Sequence, residues 1–238
     1  MRLHLADYRH IVVLTGAGVS VASGLRPYRG PGGVWQEHDV ERCGHVDALS
    51  THPESVWQLF GALRTQLRDA RPNAAHAALA RLQGAVSRTQ SFLLVTQNID
   101  GLHQRAGSRY VGELHGSITR TRCSRESCKH PVALDDEPHA GAAPRCPSCG
   151  SPLRPDIVLF GEPVDAATLW RARRALREVE LFLAIGTSGL VSPAADFVRS
   201  AHYAGARTVY VNVDPQAMAA HFSDAAIGKA EDVLPDLF

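Results

Sequence analysis

Four cysteines in the second half of the chain have the number and spacing of a metal site. They form two close pairs, Cys123 with Cys128 and Cys146 with Cys149, and seventeen residues separate the pairs. Four thiolates in this pattern can converge on one zinc ion, and a set of four leaves no open position for a reacting group. The spacing therefore predicts a structural zinc site. Two disulfides or four inert thiols are the alternatives.

The stretch that links the two pairs is polar and contains three prolines within residues 131–145, which argues against a fold of its own. We expect the metal to supply the folding energy, on the order of 10–16 kcal/mol in small zinc-binding peptides. The fifth cysteine, Cys43, lies outside the set, and we expect it to be a small buried hydrophobic residue.

A glycine-rich turn near the amino terminus contains residue types that favour pyrophosphate binding. In LTGAGVSVASGLRPYRG, Gly16 and Gly18 follow an apolar run, and the backbone N–H groups of such a turn can approach phosphate oxygens. Val21 stands where a dinucleotide-binding fingerprint has its third glycine, and Gly24 and Pro27 interrupt the long helix that would follow. The turn alone is a weak signal, because glycines after strands often only permit a change of direction.

The loop after the turn is cationic and aromatic. Arg26 and Arg29 flank Tyr28, and Trp35 follows a pair of glycines. We expect this loop to close over a ligand in the room that the missing helix leaves. The alternative is a surface loop with a buried aromatic ring.

Small polar residues follow other apolar runs of the chain as well. Ligands bind at the carboxyl ends of parallel strands in open α/β sheets, so several such clusters favour one extended ligand along a sheet edge. A single histidine among the twelve of this chain is more often structural than catalytic. The residues are Gln97, Asn98 and Asp100 in TQNID, His115 in ELHGS, Thr187 and Ser188 in IGTSG, and Asn212 and Asp214 in VNVDP.

The apolar runs that must position these clusters predict buried parallel strands. Residues 10–14, 92–95, 181–185 and 208–213 are rich in leucine and β-branched residues without alternation. This pattern is typical of a sheet that is covered on both faces.

Amphipathic segments between the runs predict helices. They comprise residues 53–69, a helix capped by Asn73, residues 165–179, and a helix that Ser192-Pro193 begins with proline in its first position. The alternation of strands and helices predicts an α/β fold with a doubly wound, Rossmann-like parallel sheet.

Two stretches do not fit this alternation, and we interpret them as insertions that pack together. Residues 31–73 would supply the helical part of a smaller domain, and residues 119–155, which show no periodicity, would supply its four-cysteine zinc module. The larger, dinucleotide-binding domain would then consist of residues 1–30, 74–118 and 156–238.

The composition is that of an ordinary globular protein. A net charge of +1 over 238 residues gives no sign of a nucleic-acid-binding surface, and every apolar run is too short to span a membrane. The first residues lack the apolar run of a signal peptide. With the odd number of cysteines, these features favour a cytoplasmic protein, and the near-neutral charge is compatible with a monomer.

Taken together, the motifs resemble those of the sirtuins, the family of NAD-dependent protein-lysine deacylases. The segments GAGVS, YRG, TQNID, LHGS, the four cysteines, VLFGE, GTS and VNVD occur in the order of that family, from about residue 10 to the carboxyl terminus. The short chain and the cysteine spacing are similar to those of the bacterial branch that includes desuccinylases. The resemblance implies NAD as co-substrate, a structural zinc ion, and acyl-lysine proteins or peptides as substrates.

The resemblance also implies roles for individual residues. His115 would be the general base that helps a ribose hydroxyl attack, and Asn98 and Asp100 would favour the departure of nicotinamide. The products would be lysine, nicotinamide and O-acyl-ADP-ribose. The residues that would bind NAD are Gly16, Ala17, Gly18, Tyr28, Arg29, Trp35, Gln97, Asn98, Ile99, Asp100, Gly186, Thr187, Ser188, Asn212, Val213, Asp214 and Ala230. The residues that would lie beside the peptide as a strand are Val158, Phe160, Gly161 and Glu162.

The chain departs from the family pattern at two places. The lid reads Tyr28-Arg29 where the family usually has Phe-Arg. The desuccinylase branch carries a Tyr-x-x-Arg pair that grips the acyl carboxylate, and the matching positions here are Phe60 and Leu63. These two face the same side of a helix, whereas Arg64 lies about 100° further round.

This second departure predicts a preference for neutral acyl groups over succinyl. Phe60 and Leu63 would line the acyl pocket; the alternative is that they are only core residues. Two other functions use the same NAD residues: an ADP-ribosyltransferase or NAD hydrolase, and a silent module that binds NAD or ADP-ribose. The segment VLFGE and His115 argue against the first, and the presence of His115 and Asn98 argues against the second.

Overall fold

The structure is a computed structural model that describes residues 1–27, 33, 38–139, 142–187, 192–215 and 220–238. In chain order its strands are β1 (His10–Thr15), β2 (Ser91–Thr96), β3 (Val111–Glu113), β4 (Gly116–Cys123), β5 (Ala133–Leu134), β6 (Leu153–Ile157), β7 (Leu181–Ile185), β8 (Arg207–Asn212) and β9 (Asp224–Ile227). Six of them form a parallel sheet in the order β3-β2-β1-β7-β8-β9. The switch of direction at β1 confirms the predicted doubly wound α/β fold.

Helices cover both faces of this sheet. In chain order, the helices of the described residues are α1 (His38–Cys43), α2 (Ala48–Thr51), α3 (Pro53–Asp69), α4 (Ala74–Ala85), α5 (Leu102–Arg105), α6 (Ala166–Ala175), α7 (Ala195–Tyr203) and α8 (Ala230–Leu237). Helices α4 and α8 pack on one face, and α6 and α7 pack on the other. Within the described ranges, none of the helices has both the length and the apolar composition needed to cross a membrane.

Strand β1 shows why apolar runs without alternation predict strands that are buried on both faces of a sheet. Ile11 and Val13 belong to the cluster beneath α4 and α8, whereas Val12 and Leu14 belong to the cluster beneath α6 and α7. Successive side chains of a strand point to opposite faces, so a strand buried on both faces needs apolar residues at every position.

Two predicted helix boundaries are wrong. Asp165 caps α6 by accepting a hydrogen bond from the Thr168 amide at 2.6 Å, but the helix ends at Ala175 rather than at residue 179. Helix α7 begins at Ala195, and Pro193 precedes it in a turn whose carbonyl accepts from the Asp196 amide, three residues on. By contrast, Asn73 caps α4 as predicted, through a 2.9 Å bond from the Ala75 amide.

The region of residues 119–155, in which the sequence shows no periodicity, contains a second sheet. Strands β5, β4 and β6 pair antiparallel in that order, with Arg122 of β4 opposite Arg154 of β6. The strands show no periodicity in the sequence because their buried positions include polar and charged residues, which hide the alternation that marks a half-buried strand.

Helix α3 packs against this antiparallel sheet through Arg64. Arg64 is 2% exposed, and its guanidinium donates to the carbonyls of Ile118, Arg120 and Glu137 at 2.7–3.1 Å. It also lies 3.3 Å from the Asp135 carboxylate. The guanidinium of Arg64 is therefore committed to the antiparallel sheet, and it joins the two insertions. The domain bounds given above stay a prediction.

Candidate active site and zinc centre

The carboxyl ends of four neighbouring strands meet at one edge of the parallel sheet. Thr15 of β1 lies opposite Thr96 of β2 and Ile185 of β7, so the turns that follow these strands are adjacent. Backbone bonds join them: the Gly16 amide donates to Ile185, and the Gly18 amide donates to Gly186, at 3.0 and 2.9 Å.

The two glycines of the first turn are required by this close approach. A Cβ atom on Gly16 or Gly18 would lie 2.7–2.9 Å from backbone atoms of Gly186 and Thr187, and Gly186 itself has a positive φ of 59°. Such distances exclude any side chain without movement of the backbone. The turn then continues as a short 3₁₀ helix, Ala17–Ser23, that ends at Gly24. Ala17 and Gly18 remain half-buried at the sheet edge.

Asn98 is held at this edge by its own side chain. Its amide NH₂ donates to the Gly16 carbonyl at 3.0 Å and to the Ser20 hydroxyl at 3.2 Å. These bonds occupy the donors and leave the side-chain oxygen as the acceptor. A carboxamide or hydroxyl of a ligand is the type of donor that this oxygen can receive.

Asp100 is buried and engaged within the protein. One carboxylate oxygen accepts from Ser20 Oγ at 2.7 Å, and the other accepts from the Leu102 amide at 2.9 Å. Asp100 therefore fixes the turn after β2 and orients Ser20, which in turn contacts Asn98. The neighbouring Ile99 accepts a bond from the Ile118 amide and packs against the apolar cluster near α3.

A buried polar network beneath the edge was missed by the sequence reasoning. Thr15 Oγ1 donates to Thr96 Oγ1, so His103 must donate from Nε2 to Thr15, which leaves His103 Nδ1 unprotonated. That nitrogen has no partner in the described part of the chain. His76 accepts from the Asn73 amide and lies 3.5 Å from Ser20 Oγ. The only sequence signal for His76 is its place three residues after the cap.

His103 predicts a loss of stability at low pH. Burial, together with the neighbouring His76, lowers the pKa of His103 to about 3, well below the value of about 6.5 expected in the unfolded chain. Between these values the unfolded state binds one more proton, so the free energy of unfolding falls as the pH drops, by about 1.4 kcal/mol per pH unit for each such group.

Chemical denaturation at a series of pH values between 7 and 4 measures this slope. We expect His103→Gln to be less stable than the native protein at pH 7 but to show a flatter slope, by about one proton. The exposed His202 offers a matched control, since His202→Gln should keep the native slope. Equal slopes for the native protein and His103→Gln would contradict the prediction.

His115 follows β3 and has the geometry of a neutral base. Its Nδ1 lies 2.8 Å from the Gln97 carbonyl, which can only accept, so Nδ1 carries the proton and Nε2 carries the lone pair. Burial lowers the pKa of His115, and the bond to Gln97 offsets part of this shift. The ring therefore stays neutral at pH 7. Its backbone carbonyl accepts from the Val158 amide at 2.9 Å.

Side-chain amides join the end of β7 to the ends of β2 and β8. Gln97 Nε2 donates to Thr187 Oγ1 at 2.8 Å, and Asn212 Nδ2 donates to the Thr187 carbonyl at 3.1 Å. Val213 and Asp214 are exposed beyond β8, and the Gly228 amide bonds to the Asn212 carbonyl just before α8 begins. Ala230, the first residue of α8, is thereby brought to the same edge, where it is buried. Tyr28, Arg29, Trp35 and Ser188 lie outside the described residues.

The segment after β6 differs from the extended strand that the sequence predicts. Phe160 donates its amide to the Gly44 carbonyl and accepts from the Val46 amide, both at 2.9 Å, so its backbone already pairs within the chain. Gly161 is exposed with a φ of 85°, and a Cβ there would lie 2.9 Å from the His45 ring. Both carboxylate oxygens of Glu162 bind Arg154. Gly161 is thus the exposed member of the segment, whereas Val158, Phe160 and Glu162 are half-buried.

Phe60 and Leu63 lie on the inner side of α3. Both are half-buried, and they pack against a cluster that includes Leu67, Ile118 and Leu159, with Ile99 at its margin. Part of their role is therefore structural, as the alternative interpretation held. Through Ile99, the same apolar surface reaches the turn that carries Asn98.

The four cysteines converge on one point. Sγ of Cys123 lies 3.5 Å from that of Cys149, Sγ of Cys128 lies 3.8 Å from that of Cys146, and all four lie within 4.8 Å of one another. Tetrahedral zinc with Zn–S bonds of about 2.3 Å needs sulfurs about 3.8 Å apart, whereas a disulfide needs about 2.05 Å. The donor set thus fits zinc. Cys43 lies apart from it and is buried.

Known proteins are similar to this chain over most of its length. A model of the Sir2 family matches residues 16–193. The NAD-dependent protein deacylase 2 of Pyrobaculum aerophilum is 44% identical over 98% of this chain and 91% of its own length. A Sir2 homologue solved in complex with NAD superposes with a TM-score of 0.85 at 35% identity, covering 98% of this chain and 89% of that one.

A further solved structure contains a peptide. It is a Sir2 variant bound to a deacetylated p53 peptide and 3′-O-acetyl ADP ribose. It superposes with a TM-score of 0.85 at 29% identity, covering 98% of this chain and 93% of that one.

Proposed function

This chain belongs to the Sir2 family, and on that premise we propose that it removes acyl groups from lysine side chains of proteins with NAD as co-substrate. The products would be lysine, nicotinamide and O-acyl-ADP-ribose, and neutral acyl groups would be preferred over succinyl. The observation that carries the proposal is the imidazole of His115, held as a neutral base at the sheet edge that also carries Asn98 and the glycine turn.

The sheet edge offers the contacts that a dinucleotide needs. Bound NAD would supply a ribose carbon open to attack and nicotinamide as its leaving group. The Gly16–Gly18 turn would face the pyrophosphate, and Asn98 Oδ1 would accept from the carboxamide. The other proposed NAD residues at this edge are Ala17, Gln97, Ile99, Asp100, Gly186, Thr187, Asn212, Val213, Asp214 and Ala230, with Tyr28, Arg29, Trp35 and Ser188 beyond the described ranges.

His115 would take a proton from a ribose hydroxyl through Nε2. The bond from Nδ1 to the Gln97 carbonyl fixes the tautomer and steadies the ring as it becomes positive. Because burial lowers its pKa, the ring is in the basic form throughout the cellular pH range.

Asp100 would act through its neighbours rather than by direct contact. Its two oxygens are committed to Ser20 and the Leu102 amide, so we assign it the task of holding Ser20 and the turn that presents Asn98. This arrangement fixes the position of the Asn98 side-chain oxygen before a ligand arrives. Groups that are held in place in advance lower the barrier of the reaction.

The acyl preference follows from the inner face of α3. Phe60 and Leu63 offer apolar surface, and the nearby Arg64 is committed to the antiparallel sheet. A succinyl carboxylate would lose water there without gaining a cation. We expect kcat/KM for succinyl-lysine peptides to be at least about tenfold below that for acetyl-lysine peptides.

A panel of acyl-lysine peptides with NAD, read by the masses of the products, tests both the activity and the preference. The Phe60→Tyr/Leu63→Arg variant should raise succinyl turnover, and Ala62→Arg, which adds the same charge on another face of α3, should not. Equal efficiency on succinyl and acetyl peptides would contradict the preference. Nicotinamide release without O-acyl-ADP-ribose would instead indicate an NAD hydrolase or ADP-ribosyltransferase.

A further inference from the structure

A bidentate ion pair closes the turn that follows β6. Arg154 is 3% exposed, and its Nη2 donates to Glu162 Oε2 and to the Ile157 carbonyl, each at 2.7 Å. Its Nη1 donates to the other Glu162 oxygen at 2.5 Å. An Arg–carboxylate pair with two parallel bonds fixes orientation as well as distance.

The same carboxylate also binds the backbone of the turn. Glu162 Oε2 accepts from the Leu159 amide at 2.8 Å, and the Glu162 amide donates to the Leu159 carbonyl at 3.0 Å. The turn of residues 159–162 is therefore closed twice, once by backbone and once by side chain. Gly161, with its positive φ, is the exposed member of this turn.

The turn is tied directly to the proposed base. The Val158 amide donates to the His115 carbonyl, and the backbone of Phe160 pairs with residues 44–46. A shift of the Arg154–Glu162 pair would move Val158 and Gly161 relative to His115, whereas the glycine turn and Asn98 lie on other strands.

Glu162 is ionised in this setting. Burial by itself raises the pKa of a carboxyl group, but the hydrogen bonds from Arg154 and the Leu159 amide outweigh it, and the pKa of Glu162 lies below its ordinary value. Arg122 lies at 4.0 Å and adds a second cation on the same side.

We propose that Arg154 and Glu162 are positioning residues that set the alignment of the acyl-lysine peptide with His115, by fixing the backbone of Val158 and Gly161. The inference rests on the proposed deacylase function. It also assigns Glu162 a role different from direct contact with the peptide, because its carboxylate is used within the turn.

Glu162→Gln keeps the shape of the side chain and removes the charge-assisted bidentate pair. We expect the KM for an acetyl-lysine peptide to rise about tenfold, while kcat and the KM for NAD stay within about twofold of the native values. Arg154→Lys keeps the charge but loses the fork, so it should show the same change in KM. The double variant should rise no further than either single variant, since both remove one interaction.

Asp224→Asn provides a matched control. Asp224 accepts a single bond from Arg207 at 2.8 Å in a more exposed ion pair on the edge strand β9 of the parallel sheet, and its loss should leave all three constants unchanged. Melting curves show whether each variant is folded at the assay temperature. If Glu162→Gln is unfolded there, Arg154→Lys provides the same measurement, and both are repeated at a lower temperature at which they are folded.

Three results would overturn the inference: an unchanged peptide KM in folded variants, an equal rise in the KM for NAD, or additive effects in the double variant. A native protein that turns over none of the acyl peptides would contradict the deacylase function itself. The native measurement therefore separates the failure of the function from the failure of the positioning role.

Discussion

Replacing His115 by alanine is expected to lower the rate of deacylation about 10²–10⁴-fold while leaving NAD binding intact. The side chain makes one hydrogen bond within the described part of the chain, from Nδ1 to the Gln97 carbonyl. Its loss removes the neutral imidazole between β3 and β4, but the Gly16–Gly18 turn and Asn98 keep their own bonds. Chemistry and cofactor binding should therefore separate in this variant.

Steady-state turnover of an acetyl-lysine peptide measures the first effect, and calorimetric titration with NAD measures the second. His202→Ala removes an exposed histidine from α7 and should change neither. Retained turnover in His115→Ala would exclude the residue as the base. A loss of NAD binding together with turnover would show that the ring supports the site structurally.

The parallel sheet was predictable because the burial of its strands is visible in the local composition of the sequence. In β7, all five residues from Leu181 to Ile185 are buried, so composition alone reports burial on both faces. The strand-end rule then placed Gln97, Asn98 and Thr187 near one another without any knowledge of contacts, because the carboxyl ends of parallel strands share an edge. In the structure, Gln97 donates to Thr187, and Asn98 donates to the Gly16 carbonyl of the adjacent turn.

The antiparallel sheet was not predictable from pattern, because its buried residues depend on distant partners. Arg154 and Thr121 are buried in β6 and β4, where a strand pattern calls for apolar residues. The hydroxyl of Thr121 accepts a hydrogen bond from Nη2 of Arg64, a residue far away in sequence, at 2.8 Å. The guanidinium of Arg154 is satisfied by Glu162 in the turn after β6. A polar residue in a strand reads as exposed until such a partner is known.

The network beneath the site was missed for the same reason. Ser20 and Asp100 are separated by 80 residues and bond at 2.7 Å, and His103 reaches Thr15 across 88 residues. Serine and histidine in a turn or short helix carry no local signal of burial. Their importance follows only from topology, which places the turn after β1 against the turn after β2.

Loss of zinc is expected to have the largest effect on stability. Structural zinc sites contribute about 10–16 kcal/mol in small peptides, as much as the roughly 5–15 kcal/mol of net stability of a typical domain. Cys123 ends β4, and β4 pairs with β6 from Gly116 to Cys123. Removal of zinc should therefore loosen β6, which carries Arg154. It should also loosen the other end of the same ladder, where Gly116 follows His115.

Cys146→Ser, or treatment with a chelator, should accordingly lower the melting temperature, remove the bound zinc and abolish deacylation together. Cys43→Ala is the matched control, because Cys43 is a buried thiol outside the cluster and its loss should leave one zinc per chain and near-native turnover. Metal analysis by mass spectrometry, thermal melting and the peptide assay measure the three effects. We expect the three effects to occur together, because the ladder of β4 and β6 begins at the zinc ligand Cys123 and ends beside His115. A protein that loses its zinc and keeps full turnover would show that the antiparallel sheet holds the site without the metal.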